Sequence, residues 1–247
     1  SNITWGSIVA GDTIYIDGGA SGLSYPAFSM ITASGTSSKY ITISHSSEIG
    51  RDGIVTIATP FGISGNYIKF DGGSYKLVSG TTYRCGIVFT CSGNTTSPVN
   101  AVGGGSLNIS GARPWFRYCY FNGTYGSGSG NSLCVRNSTG FILDHAWFYQ
   151  SNGEDQIGYE CNGPGGSLAW TNSIFQDNNK PNRSDTSHRD VMNAWTGQGG
   201  YSYYLIGNMF FNTIFTQIGA QPLWVKIIEL TVGVVGLTFT VLQFFKK

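Results

Sequence analysis

The chain has 247 residues, enough for one domain with a sizeable core, and only 11% of them are charged, with a formal net charge of +1. This composition excludes both the basic surplus of nucleic-acid-binding domains and the acidic surplus of solvating tails, so we expect no nucleic-acid partner. The 36 glycines are about twice the usual share of ~7%, which disfavours long soluble helices and favours short strands joined by many turns.

A repeat begins near the N-terminus. Residues 13–16, 40–43 and 67–70 recur at a constant interval, and each segment alternates between apolar and polar or aromatic side chains. Gly or Ser follows each segment closely. This alternation is typical of half-buried strands that end in turns, so the spacing predicts coils of about 27 residues.

The second half of the chain repeats more clearly. Two interleaved ladders and one row of corner residues are predicted there. The first ladder contains Phe121, Phe148, Phe175 and Phe211, with two equal steps followed by a longer one. The second contains segments that begin at Leu107, Leu133, Ile157 and Val191. The corner row contains Tyr118, His145, Asn172 and Asn208.

These ladders predict an all-β fold, a single-stranded right-handed parallel β-helix. One coil cannot bury its own apolar face, so coils stack and build a continuous core in which equivalent side chains lie above one another. At the corner, Asn tolerates left-handed backbone geometry and caps backbone groups. We expect the β-helix to occupy residues 1–221, with a hydrophobic segment at residues 222–247.

The five cysteines are Cys85, Cys91, Cys119, Cys134 and Cys161. None forms the Cys-x-x-Cys spacing of zinc or redox sites, and their odd number excludes complete pairing within the chain. We expect buried thiols in the core, with a Cys85–Cys91 bridge as the alternative in an oxidising compartment.

Six Asn-x-Ser/Thr sequons and a first residue, Ser1, that is not Met fit a mature protein from which a signal peptide was removed, although a truncated chain is the alternative. An extracytoplasmic location, secreted or on the cell surface, is therefore the expectation.

Residues 141–148 (Phe-Ile-Leu-Asp-His-Ala-Trp-Phe) resemble the Trp-Ile-Asp-His-Cys-Ser-Phe stretch of pectate lyases, and residues 168–175 resemble the strand that follows it in that family. In pattern, the chain resembles the pectate lyase-like superfamily over about residues 8–220. That resemblance implies a right-handed parallel β-helix and, where the activity is kept, calcium-dependent cleavage of acidic polysaccharide.

By resemblance, Asp144 is a calcium-ligand candidate with Asp155 beside it, and Arg183 or Arg189 is the candidate for the base that abstracts the substrate proton. An ordinary Arg is fully protonated, so this role demands unusual surroundings. The chain departs from the family because it lacks the Arg-x-Pro-x-x-Arg segment, and Asp144-His145 also fits a purely structural corner.

Charged residues collect in residues 177–190, which hold six of the chain's charged residues and one of its three histidines, His188. We interpret this stretch as a loop inserted above the regular coil, and loops on a rigid solenoid often carry function. His188 joins the arginines as a catalytic candidate, and Lys180 is a substrate-binding candidate.

Asp155 and Asp190 both begin strands of the second ladder. If those strands are neighbours, the two carboxylates lie within about 5–6 Å, so one of them is protonated or a cation lies between them. Calcium suits such a site because it binds carboxylate and carbonyl oxygens. The metal-ligand candidates are therefore Asp144, Asp155 and Asp190, with calcium as the candidate cofactor.

Exposed aromatic side chains could bind sugar rings by stacking. Trp147 and Tyr149 flank Phe148 in one predicted strand, so alternation places both on the same face. Which face is buried is left open by the pattern, and a core aromatic stack is the alternative to a substrate-binding pair.

The last stretch has a different composition. Residues 227–245 have Glu229 and Gln243 as their only strongly polar members. As a helix they would be ~28 Å long, close to the thickness of a bilayer core. We expect residues 223–247 to be a membrane-spanning helix or an assembly helix that contacts other subunits or identical copies. Because nearly half of residues 227–245 are β-branched, two last strands that cover the open end of the solenoid are the alternative.

Two classes of function follow. The first is an extracytoplasmic structural or accessory β-helix subunit of a surface, filament or membrane assembly, with glycans as a further contact. The second is a calcium-dependent lyase-like enzyme that acts on acidic polysaccharide. Low charge, many corner residues and the lack of a complete catalytic constellation favour the first.

Overall fold

A computed structural model describes residues 3–26, 30–58, 61–79, 82–90, 99–102, 113–122, 132–136, 138–149, 156–161, 167–176, 191–196 and 202–211. Within these ranges the chain forms strands and a single 3-10 turn, Trp5–Ser7. In chain order the strands are β1 (Thr13–Ile16), β2 (Leu23–Tyr25), β3 (Ile41–His45), β4 (Val55–Ile57), β5 (Phe61–Ile63), β6 (Ile68–Asp71), β7 (Tyr75–Ser79), β8 (Thr82–Cys85), β9 (Ile87–Thr90), β10 (Val99–Val102), β11 (Trp115–Arg117), β12 (Cys119–Asn122), β13 (Leu133–Arg136), β14 (Gly140–Asp144), β15 (Trp147–Tyr149), β16 (Ile157–Cys161), β17 (Ser167–Thr171), β18 (Ile174–Gln176), β19 (Met192–Thr196), β20 (Ser202–Ile206) and β21 (Met209–Phe211).

Three parallel sheets are built from strands that recur once per coil. Sheet A has the order β1-β3-β6-β11-β14-β17-β20, sheet B the order β2-β4-β9-β12-β15-β18-β21, and sheet C the order β5-β10-β13-β16-β19. A two-stranded antiparallel hairpin, β7–β8, interrupts the coil between sheets A and B. Neighbouring strands of each sheet therefore come from successive coils. The predicted all-β parallel solenoid is confirmed.

The core is a set of side-chain ladders between the sheets. Phe89, Phe121, Phe148 and Phe175 are fully buried and follow one another in the register of sheet B. The rings of Phe121 and Phe148 are stacked, with centroids 4.3 Å apart, and those of Phe148 and Phe175 are 5.3 Å apart. The two equal steps predicted from Phe121 to Phe175 are confirmed.

The last member of each ladder was predicted wrongly by one position. In register, Phe175 pairs with Phe210, whereas Phe211 pairs with Gln176. Ile157 likewise pairs with Met192 and not with Val191. The number of residues between paired positions across residues 177–190 is thus the same in sheets B and C. It is one fewer than predicted in sheet B and one more than predicted in sheet C. This slip was invisible in the sequence because each correct residue has an apolar neighbour.

Two earlier steps also differ from the prediction. Thr13 pairs with Thr42, two positions beyond the predicted Tyr40, which keeps the same face because the shift is even. Val99 pairs with Leu133 and thus occupies the place predicted for Leu107, which lies outside the described residues.

The corner between sheets A and B has left-handed backbone geometry in successive coils. Tyr118, His145 and Asn172 have φ values of 49°, 54° and 50°, and Gly207, at 67°, occupies the next place. The predicted member Asn208 lies one position further on. Its side chain accepts a hydrogen bond from the Ser173 N–H (3.0 Å) and donates one to the Trp170 carbonyl (2.9 Å), so it caps the neighbouring coil.

The cysteines that the structure describes with their side chains are buried. Cys85 and Cys119 are free thiols, and Cys134 is also buried. Burial raises the pKa of the Cys85 thiol, and burial followed by the neighbouring Cys85 raises the pKa of Cys119. Buried thiols were therefore the correct interpretation for these three, and the bridge proposed for Cys85 is not formed.

Residues 212–247 lie outside the described residues, and so do the predicted boundary at residue 222 and the predicted hydrophobic helix. In the part of the chain that the structure describes, no helix has the length and apolar character needed to cross a membrane.

Candidate functional site

The outer face of sheet A carries a row of polar side chains just before the left-handed corner. Asp71, Arg117, Asp144 and Thr171 are consecutive partners in the register of β6, β11, β14 and β17. Inward and outward positions alternate along a strand, and the inward neighbours Phe70, Phe116 and Leu143 are fully buried. The same alternation that fills the core therefore aligns these polar groups on the surface.

Charges of opposite sign alternate along this row. Lys69 Nζ lies 2.8 Å from Asp71 Oδ2, and Arg117 Nη1 lies 3.4 Å from the same oxygen. On its other side, Arg117 Nε lies 3.2 Å from Asp144 Oδ2. We call Lys69, Asp71, Arg117 and Asp144 the charge row. Arg117 links two carboxylates that belong to different coils.

Asp144 has both carboxylate oxygens engaged. Oδ2 faces Arg117, while Oδ1 accepts hydrogen bonds from His145 Nδ1 at 2.6 Å and from Thr171 Oγ1 at 3.1 Å. These donors come from the preceding coil, from its own coil and from the following coil. A cation that bound Asp144 would have to share the carboxylate with these three groups.

Electrostatics favour the ionised forms of Asp71 and Arg117. Burial alone would raise the pKa of Asp71, but hydrogen bonds from Lys69 and the Gly73 N–H, together with the charges of Lys69 and Arg117, outweigh it and lower that pKa below its usual range. Burial alone would lower the pKa of Arg117, but Asp71 and then Asp144 outweigh it and raise that pKa. Arg117 is therefore a poorer general base than an ordinary Arg.

Aromatic rings flank the charges. The rings of Tyr118 and His145 are stacked with centroids 4.6 Å apart, and the Arg117 guanidinium lies 5.0 Å from the Tyr118 ring. Lys69 Nζ lies 4.5 Å from the Trp115 ring. Such cation–π contacts add to the ion pairs and fix the orientation of both cations.

The two candidate sugar-binding residues lie across the corner from Asp144. In β15, Phe148 points into the core, so Trp147 and Tyr149 lie on the outer face of sheet B, both partly exposed. The indole of Trp147 packs against Tyr120, with ring centroids 5.1 Å apart, and its Nε1 is buried without a hydrogen-bond partner. The indole N–H of Trp147 is therefore not available to a ligand.

Six predicted site residues lie outside the described residues: Asp155, Lys180, Arg183, His188, Arg189 and Asp190. Among the residues that the structure describes, no group of three or more His, Cys, Asp or Glu side chains is placed to hold a metal ion. The predicted catalytic residues and the Asp155/Asp190 calcium pair thus remain predictions.

Sequence analysis missed Lys69, Asp71, Arg117 and Thr171. A signal existed for two of them, since Arg117 and Thr171 lie one repeat before and one repeat after Asp144 and so belong to the same row. The coil from Asp71 to Arg117 is longer, because it contains the β7–β8 hairpin and the stretch after β9. The spacing therefore gave no signal for Asp71.

Comparison with known proteins adds no family assignment: no protein-family model, curated protein or solved structure matches the chain.

Proposed function

We propose that this chain is an extracytoplasmic structural or accessory β-helix subunit of a surface, filament or membrane assembly. We also propose that the β-helix is right-handed and of the pectate lyase-like type. The basis is the resemblance of residues 141–148 and 168–175 to strands of pectate lyases. Other subunits or identical copies are the proposed partners, and glycans are a proposed contact.

The observation that carries this proposal is that the Asp144 carboxylate contacts side chains of three consecutive coils. Arg117, His145 and Thr171 satisfy its two oxygens from three consecutive coils. A ligand for calcium or a group that reacts with substrate directs its oxygens mainly toward the bound species, whereas a group that links coils directs them toward side chains of the neighbouring coils. The arrangement supports the second role.

The charge row extends this argument from one residue to the face. Each of its cations contacts a carboxylate, and Arg117 contacts two. Charge that is neutralised within the face suits a surface whose task is to hold adjacent coils together. An acidic polysaccharide would instead be recognised by cations left unpaired.

The experiment compares the two functions in the same full-length preparation. The protein is incubated with several acidic polysaccharides and calcium, and the unsaturated uronide product is followed by its absorbance. We expect no product, and we expect the protein in cell extracts to sediment within a large extracytoplasmic assembly. Calcium-dependent product that disappears in Arg189→Ala and Asp190→Ala would replace the structural proposal with the lyase. A monomer confined to the cytoplasm would also contradict it.

A further inference from the structure

One connection of the solenoid presents an apolar and an acidic side chain together at its tip. Residues 46–54 join β3 to β4, whereas one or two residues suffice between β11 and β12 and between β14 and β15. Ile49 in this connection is 102% exposed, and the side chain of its neighbour Glu48 is 74% exposed. We call Glu48 and Ile49 the loop tip. A single exposed Ile is ordinary, but its position beside a carboxylate gives the tip a definite chemistry.

Hydrogen bonds hold the base of the loop tip. His45 is buried, and its Nε2 lies 2.8 Å from the Gly53 carbonyl oxygen. The Arg51 N–H donates to the Glu48 carbonyl at 2.9 Å. These contacts fix the backbone on both sides of Ile49, so the tip would lose little conformational freedom on binding a partner.

At the other edge of sheet A lies an arginine that contacts no carboxylate. Among the residues that the structure describes, Arg51 and Arg117 each form ion pairs with two carboxylates, whereas Arg113 forms none. The Arg113 Nη2 donates to Ser167 Oγ, and its Nε is buried without a hydrogen-bond partner. Arg113 is also the only charged residue in the five connections from sheet C to sheet A, residues 64–67, 103–114, 137–139, 162–166 and 197–201. No carboxylate in these connections can therefore neutralise it.

Aromatic rings lie beside Arg113. Tyr40, Tyr67 and Arg113 occupy equivalent positions in three successive coils. The Tyr40 ring centroid lies 5.5 Å from that of Tyr67 and 5.7 Å from that of Trp115. Burial raises the pKa of the Tyr40 phenol, and the charge of Arg113 opposes this rise, so the guanidinium lies close enough to act on the phenol. We call these four residues, all of them partly exposed, the corner site.

The corner site suits a single carboxylate that carries an aliphatic neighbour. A guanidinium binds a carboxylate through parallel hydrogen bonds, and aromatic rings cover an aliphatic side chain. Arginine beside tyrosine and tryptophan is also the composition of interface hot spots. The cations of sheet A, Lys69 and Arg117, already contact Asp71, so they do not extend the site toward a polyanion. The loop tip offers both a carboxylate and an aliphatic side chain.

The loop tip and the corner site lie at opposite edges of the same face. The tip follows β3 along the chain, whereas the corner site precedes or begins β3, β6 and β11. If two copies pack with their sheet A faces together, a two-fold axis along the solenoid exchanges these two edges. Each tip then meets the edge that carries the other copy's corner site, in the same or neighbouring coils. Such a contact is made twice in a closed dimer, as in other isologous interfaces.

We propose that two copies of the chain form a dimer in which Glu48 of each copy pairs with Arg113 of the other, while Ile49 packs on the rings of the corner site. This dimer rests on the proposed function, in which identical copies are partners, and it specifies the surface that they use. Glu48 loses little in the exchange, because its ion pair with Arg51 is exposed and 3.8 Å long.

Charge reversal in the full-length chain tests the pair. Sedimentation velocity over a range of concentrations measures the dissociation constant of the dimer. We expect Glu48→Arg and Arg113→Glu each to raise it at least about tenfold, and the double variant to return it to within about threefold of the parent, because the pair is restored with its charges exchanged. Lys39→Glu is the control, since it reverses an exposed cation next to Tyr40, and it should change the constant by less than about threefold.

A second pair of variants tests the apolar part of the contact. Ile49→Ser should raise the dissociation constant at least about tenfold, because it removes the aliphatic group that the rings cover. Met30→Ser is the matched control: Met30 is 55% exposed and directly precedes Ile31, which pairs with Ile63 of sheet C, away from the proposed contact. Both positions are exposed, so the thermal midpoints should stay those of the parent and show that the variants fold.

The outcomes separate this dimer from the proposed function. A parent protein that stays monomeric at every concentration would overturn the dimer. Single variants that associate like the parent, or a double variant no tighter than the singles, would overturn the pairing of Glu48 with Arg113, and equal constants for Ile49→Ser and Met30→Ser would contradict the role of Ile49. The proposed function is judged separately by the sedimentation of cell extracts, since a subunit can assemble through another surface.

Discussion

At the scale of single residues, the outer face of sheet A depends on carboxylates that bind donors from more than one coil. Asp144 is the clearest case, because three side chains contact it and two of them, Arg117 and Thr171, belong to the neighbouring coils. Removing its charge leaves Arg117 with Asp71 as its remaining ion-pair partner in the charge row.

We expect Asp144→Asn to lower the free energy of unfolding by about 1–2 kcal/mol, because it weakens charge-assisted hydrogen bonds at a partly exposed site. Chemical denaturation at neutral pH measures this loss. Thr171→Val serves as the control, since it removes one neutral donor and should cost less. An Asp144→Asn protein as stable as the parent would show that the charge row does not hold the coils together.

Acid should destabilise the protein through Asp71. Its folded-state pKa lies below the ~3.9 of an unperturbed Asp, so the folded state favours the ionised form and gains stability above the unfolded-state pKa. That stability is lost as the pH falls through about 4 toward the lower folded-state value. Denaturation at a series of pH values from neutral into this acid range should show a smaller loss in Asp71→Asn than in the parent, and parallel curves would contradict this assignment.

Gly207 gives a third test at this scale. Its φ is 67°, and a Cβ there would lie 2.5 Å from Asn172 Oδ1. Gly207→Ala should therefore cost about 1–2 kcal/mol for the left-handed backbone, with a further steric loss. Adding Asn172→Gly should recover the steric part, as chemical denaturation of the single and double variants would show. If Gly207→Ala is neutral, the corner is not left-handed at this position.

At the scale of elements, the stability of the solenoid lies in its ladders. Phe148 in β15 is fully buried between Phe121 and Phe175. Phe148→Ala should cost about 3–5 kcal/mol, since it leaves a cavity between two rings that cannot close on each other. Tyr149→Ala, on the outer face of the same strand, should cost less than about 1 kcal/mol. Similar losses for both variants in urea would mean that β15 has the opposite face in the core.

The sequence was sufficient to predict the ladders wherever successive coils have equal length. From β11 to β18 the constant period brings like residues into line, so the inward faces and the corner between sheets A and B could be predicted. Where coils differ in length, only residue type marks the equivalent position. Phe210 and Phe211 are identical in type, and Gly207 and Asn208 both suit corners, so the sequence could not choose the register after residues 177–190.

Less of the candidate site could be predicted. The repeat period places Asp144 and its partner Arg117 in one row. It does not predict whether that row points outward, because the direction of a side chain depends on which face of the sheet is buried. The apolar character of Trp147 or Ile142 did not reveal that they face outward. The strongest candidates for catalysis or metal binding are Asp155 and the charged residues of 177–190. They fall in two stretches where no repeat constrains the position of a residue.

At the scale of the whole molecule, stability is a sum of contacts between adjacent coils, because strands of all three parallel sheets pair only with their neighbours in the stack. Such a chain behaves as a one-dimensional array in which each coil is held by the next. The ends of such an array are its weakest points, and the described part of the stack ends at Trp5 on one side and at β20 and β21 on the other.

The pairing of each coil with the next has a mechanical consequence. A pull applied between the two termini loads the stack as a peeling force, so coils should detach one after another rather than all together. Each detached coil, from 24 residues between Leu133 and Ile157 to 46 between Asp71 and Arg117, releases about 80–165 Å of extended chain. Optical-tweezers traces of the full-length protein should therefore show a series of small steps of this length, and a single large rip would contradict it. A subunit that unfolds coil by coil in this way dissipates mechanical work while most of its length stays folded.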